Sequence, residues 1–282
     1  MILKEKLKSG LYIVATPIGN LGDMTFRAIE TLKQVDLIMC EDTRVTGKLL
    51  QKFEIKNSMR VYNDNSDKET REYILKLIMK ENKSIALVSD AGTPLISDPG
   101  YKLVKDCIKQ GVFITSLPGA SALTTALSLC GLPTNRFMFC GFLSSKVVER
   151  KNELKNLINV NATFVFYESP NRLVNLLDNI NEVMENPRCC VLRELTKLHE
   201  EIKTESAQLL LNYYKSNPPK GEIVVIVDNN KTEKIEISDN FIKKELKIAL
   251  KTMSLKDAVK FVSENNGLHR KKVYKIGLLI SG

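Results

Sequence analysis

The feature that most constrains this chain is a recurring run of apolar residues almost without a polar break, seen in IALVS at residues 85–89 and EIVVIVD at 222–228. A strand with one wet face alternates apolar and polar residues, whereas a strand covered on both faces does not need to. Similar runs recur at 11–16, 36–40, 84–89, 112–117, 137–142, 162–167 and 189–194, with helical segments between them. Phe26, Ile29, Leu32 and Val35 fall at near-helical spacing behind a cap expected at Asp23. Ser66 with Glu69 forms a capping-box pattern before Tyr73, Ile74, Leu77 and Ile78. The alternation predicts α/β layers built on largely buried sheets.

At 282 residues the chain has room for roughly two domains. Its 43% hydrophobic and 27% charged content excludes a disordered or collagen-like chain. The opening MILKEKLKSG carries no apolar run of signal-peptide length, and no stretch reaches 18 uninterrupted apolar residues, so the expectation is a soluble cytoplasmic protein with no membrane span. Cys40, Cys107, Cys130, Cys140, Cys189 and Cys190 lie in apolar runs without a C-x-x-C pair and read as reduced core thiols. His199 and His269 have no cysteine or second histidine at ligand spacing, so no metal site is expected.

The net charge of +9 is unevenly spread. From residue 240 to the end, nine lysines and Arg270 face only Glu245, Asp257 and Glu264, a net +7 that leaves +2 for everything before it. Such a concentration suits a polyanion such as nucleic acid, and equally a solvated lysine-rich face. Ile242, Leu246 and Ala249 or Leu250 mark one helix there, Ser254 with Asp257 caps a second, and Gly267 precedes a third over 273–279, a helix-turn-helix-like arrangement. The polar stretch 229–239 reads as a linker, and Pro118–Gly119 with a small-residue helix up to Cys130–Gly131 reads as the crossing between two domains.

Several loops that follow strands are rich in Gly, Pro, Ser and Asp, and would gather at the strands' carboxyl ends, where α/β proteins bind ligands. Residues 16–23 (TPIGNLGD) lack the G-K-[ST] of a P-loop and the full glycine set of a dinucleotide fingerprint; a strand-to-helix turn explains them as well. Residues 89–100 (SDAGTPLISDPG) are the sharpest local signal: two carboxylates, two glycines and two prolines stiffen a backbone with exposed amides, although a structural loop has the same composition. Residues 116–122 (SLPGASA) put small side chains at a helix start, which tight packing also favours. Residues 193–201 (RELTKLHEE) bunch charge at a strand end, as either an ion-pair network or a ligand contact, and Lys146 and Arg150 follow the strand ending near Gly141.

Taken in order, LYIVATPIGNLGD (11–23), CEDTR (40–44), VSDAGTPLISDPG (88–100), PGASA (118–122), RELTKLHEE (193–201) and KGEIVVIV (220–227) resemble the tetrapyrrole methylase superfamily. Within it they resemble the bacterial 16S ribosomal RNA cytidine 2′-O-methyltransferases. The resemblance spans nearly the whole chain; the family's leucine-proline step reads Leu143–Ser144 here.

The resemblance implies two α/β domains, 1–117 and 118–230, with a cofactor cleft between them and a basic helical tail at 240–282. S-adenosylmethionine would touch Asp90, Ala91, Gly92, Ile96, Ser121, Ala122, Leu143, Gly221 and Glu222. Pro17, Gly19, Asn20 and Arg44, with Lys271 and Lys272 of the tail, would meet the substrate. Transfer to a ribose hydroxyl needs a group to receive its proton: Glu194, Asp98 and Glu41 are the acceptors available, with Lys146 and Arg150 as orienting cations. The implied partners are the small ribosomal subunit, at a decoding-region cytidine of its RNA, and a second copy of the chain. A porphyrinoid methyltransferase of the same superfamily, a non-catalytic nucleic-acid-binding protein, and a dinucleotide-dependent oxidoreductase using Glu41 or Asp42 as ribose acid remain the competing readings.

Overall fold

The computed structural model describes residues 6–63, 68–230, 239–265, 268 and 270–281. They divide into two compact units, Met1–Asn230 and Lys231–Gly282.

The first unit contains two sheets. One is built from β1 (Gly10–Val14), β2 (Leu37–Cys40), β3 (Met59–Val61), β4 (Ser84–Val88) and β5 (Ile114–Leu117) in the order β3-β2-β4-β1-β5, and every pairing in it is parallel. The helices α1 (Phe26–Gln34), α2 (Thr43–Lys52), α3 (Lys68–Glu81) and α4 (Tyr101–Lys109) connect these strands. Along β4, Ile85 and Leu87 pack with Ile74, Ile78, Leu103 and Cys107 on one face, while Ala86 and Val88 pack with Leu32, Ile38 and Leu50 on the other. Both faces are therefore dry, which is why this strand carries no alternation.

The other sheet holds β6 (Phe137–Gly141), β7 (Thr163–Glu168), β8 (Arg188–Arg193), β9 (Glu201–Ser206) and β10 (Ile223–Asp228) in the order β6-β7-β10-β8-β9. Its β6–β7 pairing is parallel and the others are antiparallel. Phe164, Phe166, Val191 and Val225 face a core with residues of α6 (Val147–Leu157), α7 (Pro170–Val183) and α8 (Ala207–Ser216). On the opposite face Val165, Cys190, Leu192 and Ile226 meet Ala126 and Leu127 of α5 (Ala122–Leu129), together with Ile18 from the loop after β1. A loop of the parallel sheet thus lies in the core of the mixed one.

Two strands, β3 and β9, lie outside the apolar runs of the sequence. Both are sheet edges. An edge strand has one open flank and little need for apolar content, and β9 reads EIKTES with no residue fully buried. The cap of α1 is Thr25, whose hydroxyl accepts from the Ala28 amide at 3.1 Å, and not Asp23, which ends a preceding 3-10 turn at Leu21–Asp23. Ser66 of the expected capping box and residues 231–238 of the expected linker lie outside the described residues. Five of the six cysteines are buried, Cys140 is partly so, and all are free thiols.

The second unit consists of α9 (Asp239–Ala249), α10 (Leu255–Asn265) and α11 (Arg270–Ser281) around Ile242, Leu246, Val259, Val262, Val273 and Ile276. Ser254 with Asp257 caps the start of α10 as expected: the Asp257 amide donates to the Ser254 hydroxyl at 3.3 Å and that hydroxyl donates to the Asp257 carboxylate at 2.6 Å. Among the described residues no helix is long and apolar enough to cross a membrane.

Candidate active site

Three loops leaving the carboxyl ends of β1, β4 and β5 are zipped together. The Thr16 amide donates to the Gly92 carbonyl at 2.8 Å and the Gly92 amide donates back at 3.0 Å. The Thr16 hydroxyl donates to the Ser89 carbonyl at 3.2 Å, and the Thr93 hydroxyl to the Ala120 carbonyl at 3.1 Å. Two glycines make the approach possible. Gly92 has φ +79° and a Cβ there would stand 3.3 Å from the Ile18 side chain; a Cβ on Gly119 would stand 2.9 Å from that of Ala15.

The mixed sheet supplies the opposing wall through its register. Ile223 lies opposite Glu168 on one side and Arg193 on the other, so the segments entering β10 and leaving β7 and β8 meet at one sheet end. Between these walls is a cavity of about 470 Å³, within the range of small-molecule sites.

Eight of the nine residues expected at the cofactor line it: Asp90, Ala91, Gly92, Ile96, Ser121, Ala122, Gly221 and Glu222. So do Glu41 and Asp98. Leu143 does not; its side chain is buried in the mixed sheet's core and its carbonyl accepts from Arg172 at 2.6 Å, while the preceding residue, Phe142, takes the place on the wall.

The three charged residues expected at the chemistry are not among those lining the cavity. Glu194 accepts from Lys197 at 2.9 Å and from the Glu222 amide at 3.0 Å, packed over Gly221. Lys146 is exposed and pairs with Glu149 at 2.8 Å. Arg150 is only 2% exposed and donates to Asn179 at 2.8 Å and to the Ser144 carbonyl, so it fastens a loop to α7. Pro17, Gly19 and Asn20 lie in the loop whose Ile18 reaches the wall; Asn20 accepts from the Gly22 amide at 2.9 Å and Gly19 is covered by the Lys197 stem. Arg44 is exposed and paired with Asp42 at 2.6 Å, and Lys271 is exposed on α11; the Lys272 side chain lies outside the described residues.

The cavity is acidic. Burial pushes the Asp98 carboxyl up to about 6; the Glu41 and Asp90 charges add to this and the Ser89 hydroxyl partly opposes it. Asp90 is also raised by burial. Asp42, beyond the wall, is held down at about 2 by its bonds from Arg44. Glu194 is lowered, chiefly by the hydrogen bond from Lys197, so it is a settled carboxylate. Glu168 is 3% exposed and raised by burial; Arg172 stands 3.1 Å from it.

Tyr167, Glu168, Ser169, Pro170, Leu195 and Phe142 on the wall are absent from the sequence-based set. The run 162–167 was visible as a strand, and E-S-P directly after it is a carboxylate followed by a helix cap and an N1 proline. That juncture was the available signal.

Comparison with known proteins gives a consistent picture. The family model of the Tetrapyrrole (Corrin/Porphyrin) Methylases matches residues 10–210, and that of the RsmI C-terminal HTH domain matches 242–281. Ribosomal RNA small subunit methyltransferase I of Rickettsia prowazekii is 50% identical over 224 residues, covering 79% of this chain and 80% of that protein. The protein of the same name from Erythrobacter litoralis is 47% identical over 274 residues, covering 97% and 96%. Among solved structures, uroporphyrin-III C-methyl transferase from Thermus thermophilus, complexed with S-adenyl homocysteine, superposes with a TM-score of 0.54 at 15% identity over 78% of this chain and 98% of that one.

Proposed function

The chain belongs to the tetrapyrrole (corrin/porphyrin) methylases, and from that membership we propose that it transfers the methyl group of S-adenosylmethionine to a ribose 2′-hydroxyl of small-subunit ribosomal RNA, at a decoding-region cytidine. The observation that carries this reading is the convergence of the 89–98 loop, the α5 start and the Gly221–Glu222 turn on one cavity of about 470 Å³. Relatives named for small-subunit ribosomal RNA methylation, one of them matched over 97% of this chain, support the acceptor. The net +7 of residues 240–282 suits a phosphate backbone.

The cavity fits the donor. Ala91, Gly92, Ser121 and Ala122 keep their part of the wall small, and Asp90 and Glu222 place carboxylates on it that suit the donor's cationic and hydroxyl groups. The Thermus protein of the same fold was crystallised with the demethylated form of this donor. When bound, S-adenosylmethionine supplies a methyl already activated by the positive sulfur. The chain's own part is to position the two reactants, which accounts for much of such a rate enhancement, and to take a proton.

Asp98 takes that proton in this reading. It lines the cavity and is half-buried, and a carboxyl that ionises near 6 is a competent base at neutral pH. Transfer to the ribose oxygen would release the hydroxyl proton, which the Asp98 carboxylate would take and pass to solvent. Glu194 and Arg150 act as positioning residues: Glu194 holds the Gly221–Glu222 turn and Arg150 the 144 loop. Pro17, Gly19, Asn20, Arg44 and the tail lysines meet the RNA, and Lys146 is a further exposed cation. We read the parallel and mixed sheets as two domains divided at 117/118, and the working form as a cytoplasmic homodimer.

Incubation with methyl-labelled S-adenosylmethionine, small ribosomal subunits and a porphyrinoid tests the acceptor. Label in ribosomal RNA is expected; label confined to the porphyrinoid overturns it.

A further inference from the structure

We infer that Phe142 is the platform on which the nucleobase of the acceptor nucleotide stacks. This rests on the RNA reading above and names the part of the substrate that the cavity mouth recognises.

Phe142 lines the cavity yet is 59% exposed. The only other ring on the described wall, Tyr167, is half-buried and meets Phe142 edge-on, with centroids 5.7 Å apart at 69°. Tyr167 is itself set edge-on against Phe139 at 4.9 Å. The ring is therefore held from behind and left open at the mouth.

The backbone places it there by a local irregularity. Between Phe139 and Gly141 the register of β6 against β7 shifts, and Gly141 takes φ +63°. Bulges of this kind re-aim the side chains that follow them. Without the shift, residue 142 would continue the strand's alternation.

Its neighbours identify the occupant. A Cβ on Gly141 would stand 3.5 Å from the Ser97 hydroxyl, so the 97–98 turn adjoins the Gly141–Phe142 turn. Leu95 and Ser97 in that turn adopt left-handed backbone, at φ 73° and 65°, a strained state kept where surrounding structure demands it. Burial raises the Tyr167 phenol, and the nearby Asp98 carboxylate adds to the rise. The proton acceptor and the ring thus share one side of the cavity. A ribose hydroxyl reaches a donor inside a cavity only if its nucleotide leaves the RNA stack, and unstacked bases are commonly received by exposed aromatic rings. The base lies one sugar away from the reacting oxygen, and Phe142 and Asp98 directly follow Gly141 and Ser97, which adjoin each other on the cavity wall.

The test compares Phe142→Ala, Phe142→Leu and Phe142→Tyr in the full-length protein. Two quantities are measured: the dissociation constant for S-adenosylmethionine by calorimetry, and kcat/KM for unmethylated small ribosomal subunits. Loss of one base–aromatic stack lowers kcat/KM for subunits by about tenfold or more, in the Ala and Leu variants alike, with cofactor affinity unchanged and Phe142→Tyr near wild type. Three results overturn the inference: unchanged kcat/KM in Phe142→Ala, full activity in Phe142→Leu, or a loss traced to cofactor affinity. The last would assign the ring to the donor's adenine. A wild-type protein that labels no RNA would instead defeat the functional reading and this inference with it, whereas an active wild type beside an unimpaired Phe142→Ala defeats this inference alone.

Discussion

Thr16 and Gly92, in loops that follow different strands, exchange both of their backbone hydrogen bonds at 2.8 and 3.0 Å. Both residues are buried, so these groups have no water to fall back on. The bridge locks the β1 loop, with Ile18, against the β4 loop, with Asp90 and Asp98. It is the joint on which the shape of the cavity rests.

Gly92→Arg tests that joint. A non-glycine residue in left-handed backbone costs roughly 1–2 kcal/mol, and the new side chain starts 3.3 Å from Ile18 on the cavity wall. Calorimetry should show no S-adenosylmethionine binding, while thermal unfolding remains cooperative. Wild-type affinity in this variant would move the donor site elsewhere.

Asp98 sets a pH dependence. Its folded carboxyl ionises near 6, above the ordinary 3.8, so the carboxylate accumulates as pH rises and kcat/KM, which reports the free enzyme, should climb through a midpoint near 6 and then level. Asp98→Asn should lower kcat by about 10²–10⁴, the usual worth of a positioned base.

The stability effect has the opposite sense. The folded state binds this proton more tightly than the unfolded state, so the charged form opposes folding in full above about pH 6 and the penalty fades as pH falls from there to the unfolded value near 3.8. Asp98→Asn should therefore melt higher than wild type at pH 8, by of order 1 kcal/mol after discounting for solvent access. The gap should shrink toward pH 4. A variant less stable than wild type at pH 8 would contradict the burial argument.

Lys197 joins Glu194 at 2.9 Å and Glu222 at 2.8 Å while its stem covers Gly19. The pair with Glu194 is mostly buried and the one with Glu222 is not. Lys197→Ala should cost about 1–2 kcal/mol in urea unfolding, between an exposed and a buried pair. Lys197→Met retains the stem and should recover part of that loss. Equal stability of Lys197→Ala and wild type would remove the bridge from the account.

The tail is tested by Arg270→Ala, Lys271→Ala and Lys275→Ala together, all at exposed positions of α11. Each lost phosphate contact should flatten the slope of log affinity against log salt by about 0.7–0.9. S-adenosylmethionine binding should be unaffected. An unchanged slope would leave these cations as a solvated face.

The sequence made the buried strands plain because both faces of β4 and β10 are covered, and burial writes itself as unbroken apolar runs. It was silent on β3 and β9, whose open edges need no such residues. Loops rich in glycine and aspartate announced most of one cavity wall, since close approach limits which residues fit. What it did not reveal was charge placement. Glu194 and Arg150 resembled reactive groups, yet one is neutralised by Lys197 and the other buried against Asn179. Pairings of this kind depend on contacts between distant segments, such as residues 150 and 179, and no local spacing encodes them. Phe142 was passed over for the same reason, because the bulge that turns it outward is a property of two strands.

The most direct measurement is nucleoside analysis of small-subunit ribosomal RNA after reaction with methyl-labelled S-adenosylmethionine. Label should appear in one 2′-O-methylated cytidine, leaving its phosphodiester resistant to alkali, and should vanish with Gly92→Arg. Label on a base carbon or nitrogen, or no label in RNA with fully folded protein, would contradict the account.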